Sequence, residues 1–362
     1  MTTRHAVLHR SAEDLSCLSD GSVDLVVTSP PYPMIEMWDR HFSAGDHRIA
    51  DRIADGDGAA AFELMHRLLD RVWSECARVV RPGGFVCINI GEATRTIGSN
   101  FRTYTNHARV IGAFESLGFQ SLPPVIWRKP TNAPNKFMGS GTLPAGAYVT
   151  LEHEYVLIFR NGRKRHFSAV DGERRRRSAF FWEERNTWFS DLWELGGARQ
   201  QLTGPTASVR RRSAAFPFEL PFRLINMYSM QEDLVLDPFA GTGTTSLAAI
   251  AAGRHSLGVE IDASLGDSVT ETVRTGTVTI NERQIDRVRN HLEFVEGYER
   301  TKGRPPGYLN EIHRFPVVTR QERHLTIPVV ERVRCIPGDD TSYEVRYGIY
   351  DGDTLPGARV EG

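Results

Sequence analysis

Two hydrophobic periods alternate along this chain. Residues 22–29, SVDLVVTS, form an almost uncharged, β-branched run, the mark of a parallel strand buried on both faces. The run leads directly into Pro30-Pro31-Tyr32-Pro33, which neither a strand nor a helix absorbs. From 59 to 80 the period becomes helical, with Phe62, Met65, Leu69, Val72, Cys76 and Val79 on one stripe. Arg81-Pro82-Gly83-Gly84 is expected to stop that helix, and residues 85–90 (FVCINI) read as a second buried strand. A helix over 107–117, ending at Gly118, precedes strands over 121–128 and 154–160. The alternation returns with a helix over 218–229, a short strand over 234–236 and a helix over 244–252 closed by Gly253. A strand over 255–260 and an amphipathic helix over 284–295 complete it. Past residue 300 come short β-like pieces: FPVVT, HLTIPVVERV and SYEVRYGIY. Strands alternating with helices predict an α/β fold with a doubly wound, mostly parallel sheet.

Composition narrows the class. The 362 residues are 40% hydrophobic and 25% charged, a globular balance that argues against collagen, coiled coil and disorder. Lys+Arg 44 against Asp+Glu 45 leaves a net charge of −1, so affinity for a polyanion has to come from a local face. Residues 160–212 offer one, with 13 Lys/Arg against 6 Asp/Glu, a local charge of +7. They include the run Arg174, Arg175, Arg176 and Arg177 and the trio Arg210, Arg211 and Arg212, in the company of Phe167, Phe180, Phe181, Trp182, Trp188, Phe189 and Trp193. Cys17, Cys76, Cys87 and Cys335 form no C-x-x-C pair, which disfavours a zinc ribbon or disulfide frame and suits a reducing cytoplasm. No run of about 18 apolar residues and no signal-peptide core occur. A soluble, cytoplasmic protein with no membrane partner is expected.

Two loops carry the candidate chemistry. Asp237-Pro238-Phe239-Ala240-Gly241-Thr242-Gly243-Thr244-Thr245 follows one apolar strand and opens a helix. A glycine-bearing turn there lets a ligand approach the backbone beside a helix N-terminus, although a lone G-x-G also serves as a plain tight connection. Glu260 ends the next strand, 23 residues after Asp237, near the spacing at which a carboxylate meets the hydroxyls of a bound ribose. Alone it reads as a solvated strand end; paired with the loop it indicates an adenosyl cofactor. The loop lacks the Lys of a P-loop, which argues against a triphosphate. The second loop is Thr28-Ser29-Pro30-Pro31-Tyr32, again at a strand's carboxyl end. By itself S-P-P-Y is a rigid turn. Its prolines aim the Ser29 hydroxyl and neighbouring carbonyls one way and present the Tyr32 ring. Such acceptors hold the hydrogens of an exocyclic amine and free its lone pair, while the ring stacks on an extruded base.

In this context the two loops resemble the amino-group DNA methyltransferases, which use S-adenosyl-L-methionine to methylate N4 of cytosine or N6 of adenine. The T-S-P-P-Y form is similar to the cytosine-N4 branch; adenine enzymes more often carry Asp or Asn before the prolines. The catalytic loop precedes the cofactor loop by about 200 residues, as in the family's circularly permuted β group. Ala215-Phe216-Pro217-Phe218-Glu219-Leu220 fits the family's segment just before the cofactor loop, and so do RVVRPGGFVCINIGE, VIWRKP, HEYVLIFRNG and DLWEL. Two departures stand out: Arg10-Ser11 replaces a frequent Gly-Asp, and Ser213 stands where a His is common.

The resemblance implies a permuted methyltransferase sheet with a basic recognition insert and a β-rich tail. It divides the chain into a catalytic half (1–160), a target-recognition region (161–212), a cofactor half (213–299) and an extension without an assigned role (300–362), with 263–280 as an insertion. Ser29 and the Pro30 carbonyl would accept hydrogens from the target amine, Pro31 would hold the turn and Tyr32 would stack on the flipped base. Phe216, Asp237, Phe239, Gly241, Gly243, Thr244 and Glu260 would surround the cofactor, and the two arginine clusters would contact DNA. The implied partners are double-stranded nucleoid DNA, a cognate restriction endonuclease and a second copy of the chain. Adenine-N6 methylation and a non-catalytic DNA-binding protein on the same fold remain the alternatives. Cytosine-C5 chemistry needs a Pro-Cys pair, which is absent, and the His and Cys residues form no zinc cluster.

Overall fold

The computed structural model describes residues 1–129, 138–196, 216–336, 339–350 and 359–361. Its strands begin with β1 (Thr2–His9), β2 (Val23–Thr28) and β3 (Val80–Ile90), then a hairpin of β4 (Ala93–Ile97) and β5 (Asn100–Tyr104). β6 (Phe119–Arg128), the short pair β7 (Met138–Gly139) and β8 (Ala147–Tyr148), β9 (His153–Asn161) and β10 (Leu192–Glu194) follow. β11 (Leu234–Asp237) and β12 (His255–Glu260) precede β13 (Tyr308–Leu309), β14 (Pro316–Val317), β15 (Pro328–Ile336), β16 (Asp339–Ile349) and β17 (Arg359–Glu361). Eleven of these form one sheet in the order β10-β6-β9-β3-β2-β11-β12-β1-β16-β15-β17. Its centre, β3-β2-β11-β12-β1, is wholly parallel, which explains the uninterrupted apolar runs of β2 and β11.

The helix Gly58–Val79 starts where the Asp57 carboxylate accepts the Ala60 N–H at 3.0 Å, and it buries Met65, Leu69, Val72, Trp73, Cys76 and Val79 against the sheet. The strand begins directly at Val80, so Arg81-Pro82-Gly83-Gly84 lies inside β3 instead of separating helix from strand. The turn residues are absorbed by a break in register against β2 between Val23 and Leu25. Gly83 has φ +79°, and a Cβ there would come within 2.6 Å of the Arg165 backbone nitrogen.

Three features depart from the sequence reading. The polar-looking β1 is a strand in the middle of the sheet. Its buried Thr3 and His5 are satisfied sideways, Thr3 Oγ1 to His5 Nε2 at 2.6 Å and His5 Nδ1 to Ser256 Oγ at 2.8 Å. Burial lowers the His5 pKa to about 3, so the ring is neutral. The tail joins the main sheet: β16 runs antiparallel to β1, pairing Thr2 with Arg346 and Ala6 with Ser342, and β15 pairs with β16. The last helix is far longer than the 284–295 reading: Gly266–Lys302 runs for 37 residues and takes in most of 263–280. Asn281 on that helix closes the tail onto the body, donating to the Val330 carbonyl at 2.9 Å and accepting its N–H at 2.8 Å.

The basic stretch holds two helices, Ala169–Arg177 and Trp182–Trp188. Arg165 pairs with Asp233 at 2.8 Å and Asp24 at 3.3 Å, and Arg174 reaches Asp233 at 3.1 Å. Asp24 lies near the start of β2 and Asp233 just before β11, so this cluster marks the amino end of the sheet.

Candidate active site

The carboxyl ends of β2, β11 and β12 open into a cavity of about 610 Å³, lined by both expected loops. On the cofactor side, Thr28 Oγ1 donates to Asp237 Oδ1 at 2.6 Å, and the Phe239 N–H reaches the same oxygen at 3.0 Å. Burial of this carboxyl raises its pKa from 3.8 to about 6. Glu260 accepts the Gly241 N–H at 2.8 Å on one oxygen and the Asp262 N–H at 2.8 Å on the other. The strand-end carboxylate and the glycine turn are thus one hydrogen-bonded unit.

Gly241 and Gly243 have φ of +52° and +81°, the left-handed region where a side chain is strained. Gly243 caps the helix Thr244–Ala252, and a Cβ on it would approach Val269 Cγ1 to 2.9 Å. Phe216, Asp237, Phe239, Gly241, Thr244 and Glu260 line the cavity, whereas Gly243 supports the turn from behind. Arg10 and Ser11, the departure from the family pattern, line it as well. Thr242 Oγ1 is buried on this lining without a hydrogen-bond partner. A polar atom left free, an exposed backbone turn and a fixed carboxylate fit an adenosyl cofactor with polar hydroxyls and a charged amino-acid end.

Ser29, Pro30, Pro31 and Tyr32 form the adjoining wall. Ser29 Oγ lies 3.1 Å from the Tyr32 hydroxyl, which donates to Glu154 Oε2 at 2.8 Å. Asn89 Nδ2 donates to the Tyr32 oxygen at 2.7 Å and to Glu154 Oε2 at 2.6 Å, and Lys129 Nζ grips the other Glu154 oxygen. Burial, with the Glu154 charge beside it, pushes the Tyr32 phenol well above its ordinary range. Asn89, Lys129 and Glu154 are not singled out by the sequence reading, though all three lie in stretches that fit the family. The available signal is positional: each is a polar residue at the pocket-side end of an apolar strand, where a solvated strand end is the simpler reading.

The arginine clusters fare differently. Arg174 is engaged with Asp171 and Asp233, Arg175 stacks its guanidinium 4.3 Å over the Phe167 ring, and Arg177 lies 3.8 Å from Glu232. The Arg177 carbonyl accepts the Thr326 N–H at 3.0 Å, and Arg176 is exposed. All four belong to the amino end of the sheet, and the six residues of β2 alone place that end about 20 Å from the Ser29 loop. The expectation that the 174–177 run reads DNA around the target base therefore does not follow from the fold; two of its arginines neutralise acidic groups of the body. Arg210, Arg211 and Arg212 lie outside the described residues. The described chain stops at Gly196, shortly after β10, and resumes at Phe216, which lines the cavity.

A sheet with a parallel centre, a glycine turn after one central strand, a carboxylate ending the next and a proline-rigidified wall beside them define the S-adenosylmethionine-dependent methyltransferase class. Residues 23–271 match the family model described as DNA methylase, of the N6/N4 type. The type II methyltransferase M.MthZI of Methanothermobacter thermautotrophicus is 48% identical over 330 residues, covering 90% of this chain and 91% of that protein. M.MjaI of Methanocaldococcus jannaschii, also a type II methyltransferase, is 47% identical over 284 residues, 75% of this chain and 92% of its own length. Among solved structures, a Thermus thermophilus protein assigned as a DNA modification methylase, in complex with S-adenosyl-L-methionine, superposes with a TM-score of 0.57 at 30% identity over 74% of this chain and 94% of that one. The cytosine-N4-specific PvuII DNA methyltransferase shares the fold, with a TM-score of 0.53 at 16% identity over 74% and 86%. The chain belongs to the amino-group DNA methylase family. S-adenosyl-L-methionine is its cofactor, in keeping with the cradle described above.

Proposed function

We propose that this protein methylates N4 of cytosine at a specific site in double-stranded DNA, as the modification enzyme of a type II restriction–modification system. The observation that carries the reading is the Ser29 hydroxyl on the cavity wall, directly beside the cofactor turn and backed by two prolines. A Ser at this place, in the form T-S-P-P-Y, resembles the cytosine-N4 branch. The names of the two type II relatives support the restriction setting.

The chemistry follows from the wall. An exocyclic amine is a poor nucleophile because its lone pair is delocalised into the base. With the base turned out of the duplex and packed on Tyr32, the Ser29 oxygen and the Pro30 carbonyl accept the two amine hydrogens and favour a pyramidal nitrogen. When bound, the cofactor supplies the electrophilic methyl group. DNA has to approach the carboxyl end of the sheet, where the hairpin β4–β5 and the flanks of residues 197–215 lie. Target reading by Arg210, Arg211 and Arg212 is part of this proposal.

The test is expression in a host free of DNA methylation, followed by modification-sensitive sequencing. N4-methylcytosine in one short motif is the expected result. N6-methyladenine would retain the family and overturn the choice of base. A co-encoded nuclease blocked by that same modification is the expected outcome for the restriction setting, and unimpeded cleavage of modified DNA would sink it.

A further inference from the structure

We propose that Glu154 is a positioning residue that sets the direction of the hydrogen-bond chain ending at Ser29, and that it takes up the proton released from the methylated amine. This rests on the amine-methylation reading and adds a terminus to its acceptor.

Tyr32 has one hydroxyl hydrogen, and it is given to Glu154 Oε2 at 2.8 Å. The Tyr32 oxygen already accepts from Asn89 Nδ2 at 2.7 Å. The Ser29–Tyr32 contact at 3.1 Å has no other hydrogen available to it than that of Ser29, so Ser29 donates inward. Its lone pairs are thereby left facing the cavity, the state a hydrogen-bond acceptor for an amine requires. In the resting site Lys129 and Asn89 both donate to the Glu154 carboxylate, which leaves Tyr32 as the donor of its contact with Glu154 until a proton arrives from the amine. Gly91 makes the arrangement sterically feasible, because a Cβ there would lie 3.0 Å from Tyr32 Cε2 and 3.1 Å from Glu154 Cγ.

The same chain gives the proton a way out. As the methyl carbon bonds to the amine nitrogen, the carbon–sulfur bond breaks and its electron pair stays on sulfur, leaving the nitrogen cationic. That nitrogen passes a proton to Ser29 Oγ, Ser29 passes its own to Tyr32, and Tyr32 passes its own to Glu154. The products are a neutral methylated amine and a protonated Glu154 beside Lys129.

Glu154→Gln, Tyr32→Phe and the double variant test this against wild type on a duplex carrying the target. Single-turnover methylation, calorimetric cofactor affinity and base extrusion, reported by 2-aminopurine fluorescence, are measured together. A Gln amide can donate to Tyr32 and turn the chain round, so Glu154→Gln is expected to lower the rate by about 10²-fold, with cofactor affinity and extrusion unchanged. With Phe at position 32 the chain is already broken, and adding Glu154→Gln is then expected to change the rate by no more than about twofold. A wild-type rate in Glu154→Gln, an undiminished effect of it in the Phe background, or parallel loss of cofactor affinity and extrusion would each overturn the proposal. A wild-type enzyme that methylates no amine would overturn the reading beneath it instead.

Discussion

At the residue scale the site divides between one group that must accept hydrogens and one that must carry charge. Removing the Ser29 hydroxyl deletes a preorganised acceptor, so Ser29→Ala should lower turnover by about 10²-fold or more. S-adenosyl-L-methionine affinity should be retained, since no contact of the cofactor turn involves that oxygen. Calorimetry and single-turnover kinetics separate the two, and a normal rate would remove Ser29 from the chemistry. Asp237 makes a prediction about pH. Its folded pKa of about 6, above the usual 3.8, means that the folded chain holds a proton which the unfolded chain has lost. Its contribution to stability is therefore present below 3.8 and is lost as pH rises through about 6. A cationic ligand favours the ionised form, so cofactor binding should release a proton and weaken as pH falls below about 6. Calorimetry in buffers of different ionisation enthalpy reads that proton directly, and Asp237→Asn should abolish the release.

At the element scale the tail after the helix Gly266–Lys302 shields the backbone edge of β1. Without β16 the row of β1 backbone groups on that side loses its partners, and the contact of the Tyr347 hydroxyl, which donates to the Ile250 carbonyl at 2.9 Å, goes with it. Asn281 likewise loses the Val330 backbone that it clasps. An open edge costs stability and invites association. Truncation after residue 302 should give an aggregating or strongly destabilised protein, visible in thermal unfolding and light scattering. A truncated chain that melts like the full one and still binds cofactor would show the tail to be dispensable. The helix Thr244–Ala252 and the strand β12 match the sequence reading to the residue, because Gly243 and Gly253 bound the helix and Gly253 also parts it from the strand. β1 is hidden for the opposite reason. Its Arg4, His5 and flanking threonines mask the strand period, and the groups that satisfy Thr3 and His5 from outside the strand lie 344 and 251 residues away.

At the scale of the whole molecule, the stretch richest in arginine is partly a structural clamp. Asp233 is 1% exposed and is held by Arg165 and Arg174. Truncating one partner of a buried ion pair is costly, on the order of 3 kcal/mol. Arg165→Ala and Arg174→Ala should therefore lower the melting temperature while leaving the methylated motif unchanged. If either variant instead relaxed sequence preference at normal stability, DNA would have to reach the amino end of the sheet.

What was legible in the sequence is what short segments carry within themselves. A two-residue or a 3.6-residue period, a glycine turn between strand and helix, and two prolines after an apolar strand are local patterns. They were enough for the α/β sheet and for the two loops that line one cavity. Tertiary structure decided everything that depends on who meets whom. Tyr32, Asn89, Lys129 and Glu154 come from four strand ends, the first and last 122 residues apart, and only the order of the strands makes them neighbours. The clamp at Asp233 and the docking of β16 on β1 have the same origin. A charge or a hydrogen-bonding group announces that it needs a partner, but its identity is settled by register and strand order, which no local window contains.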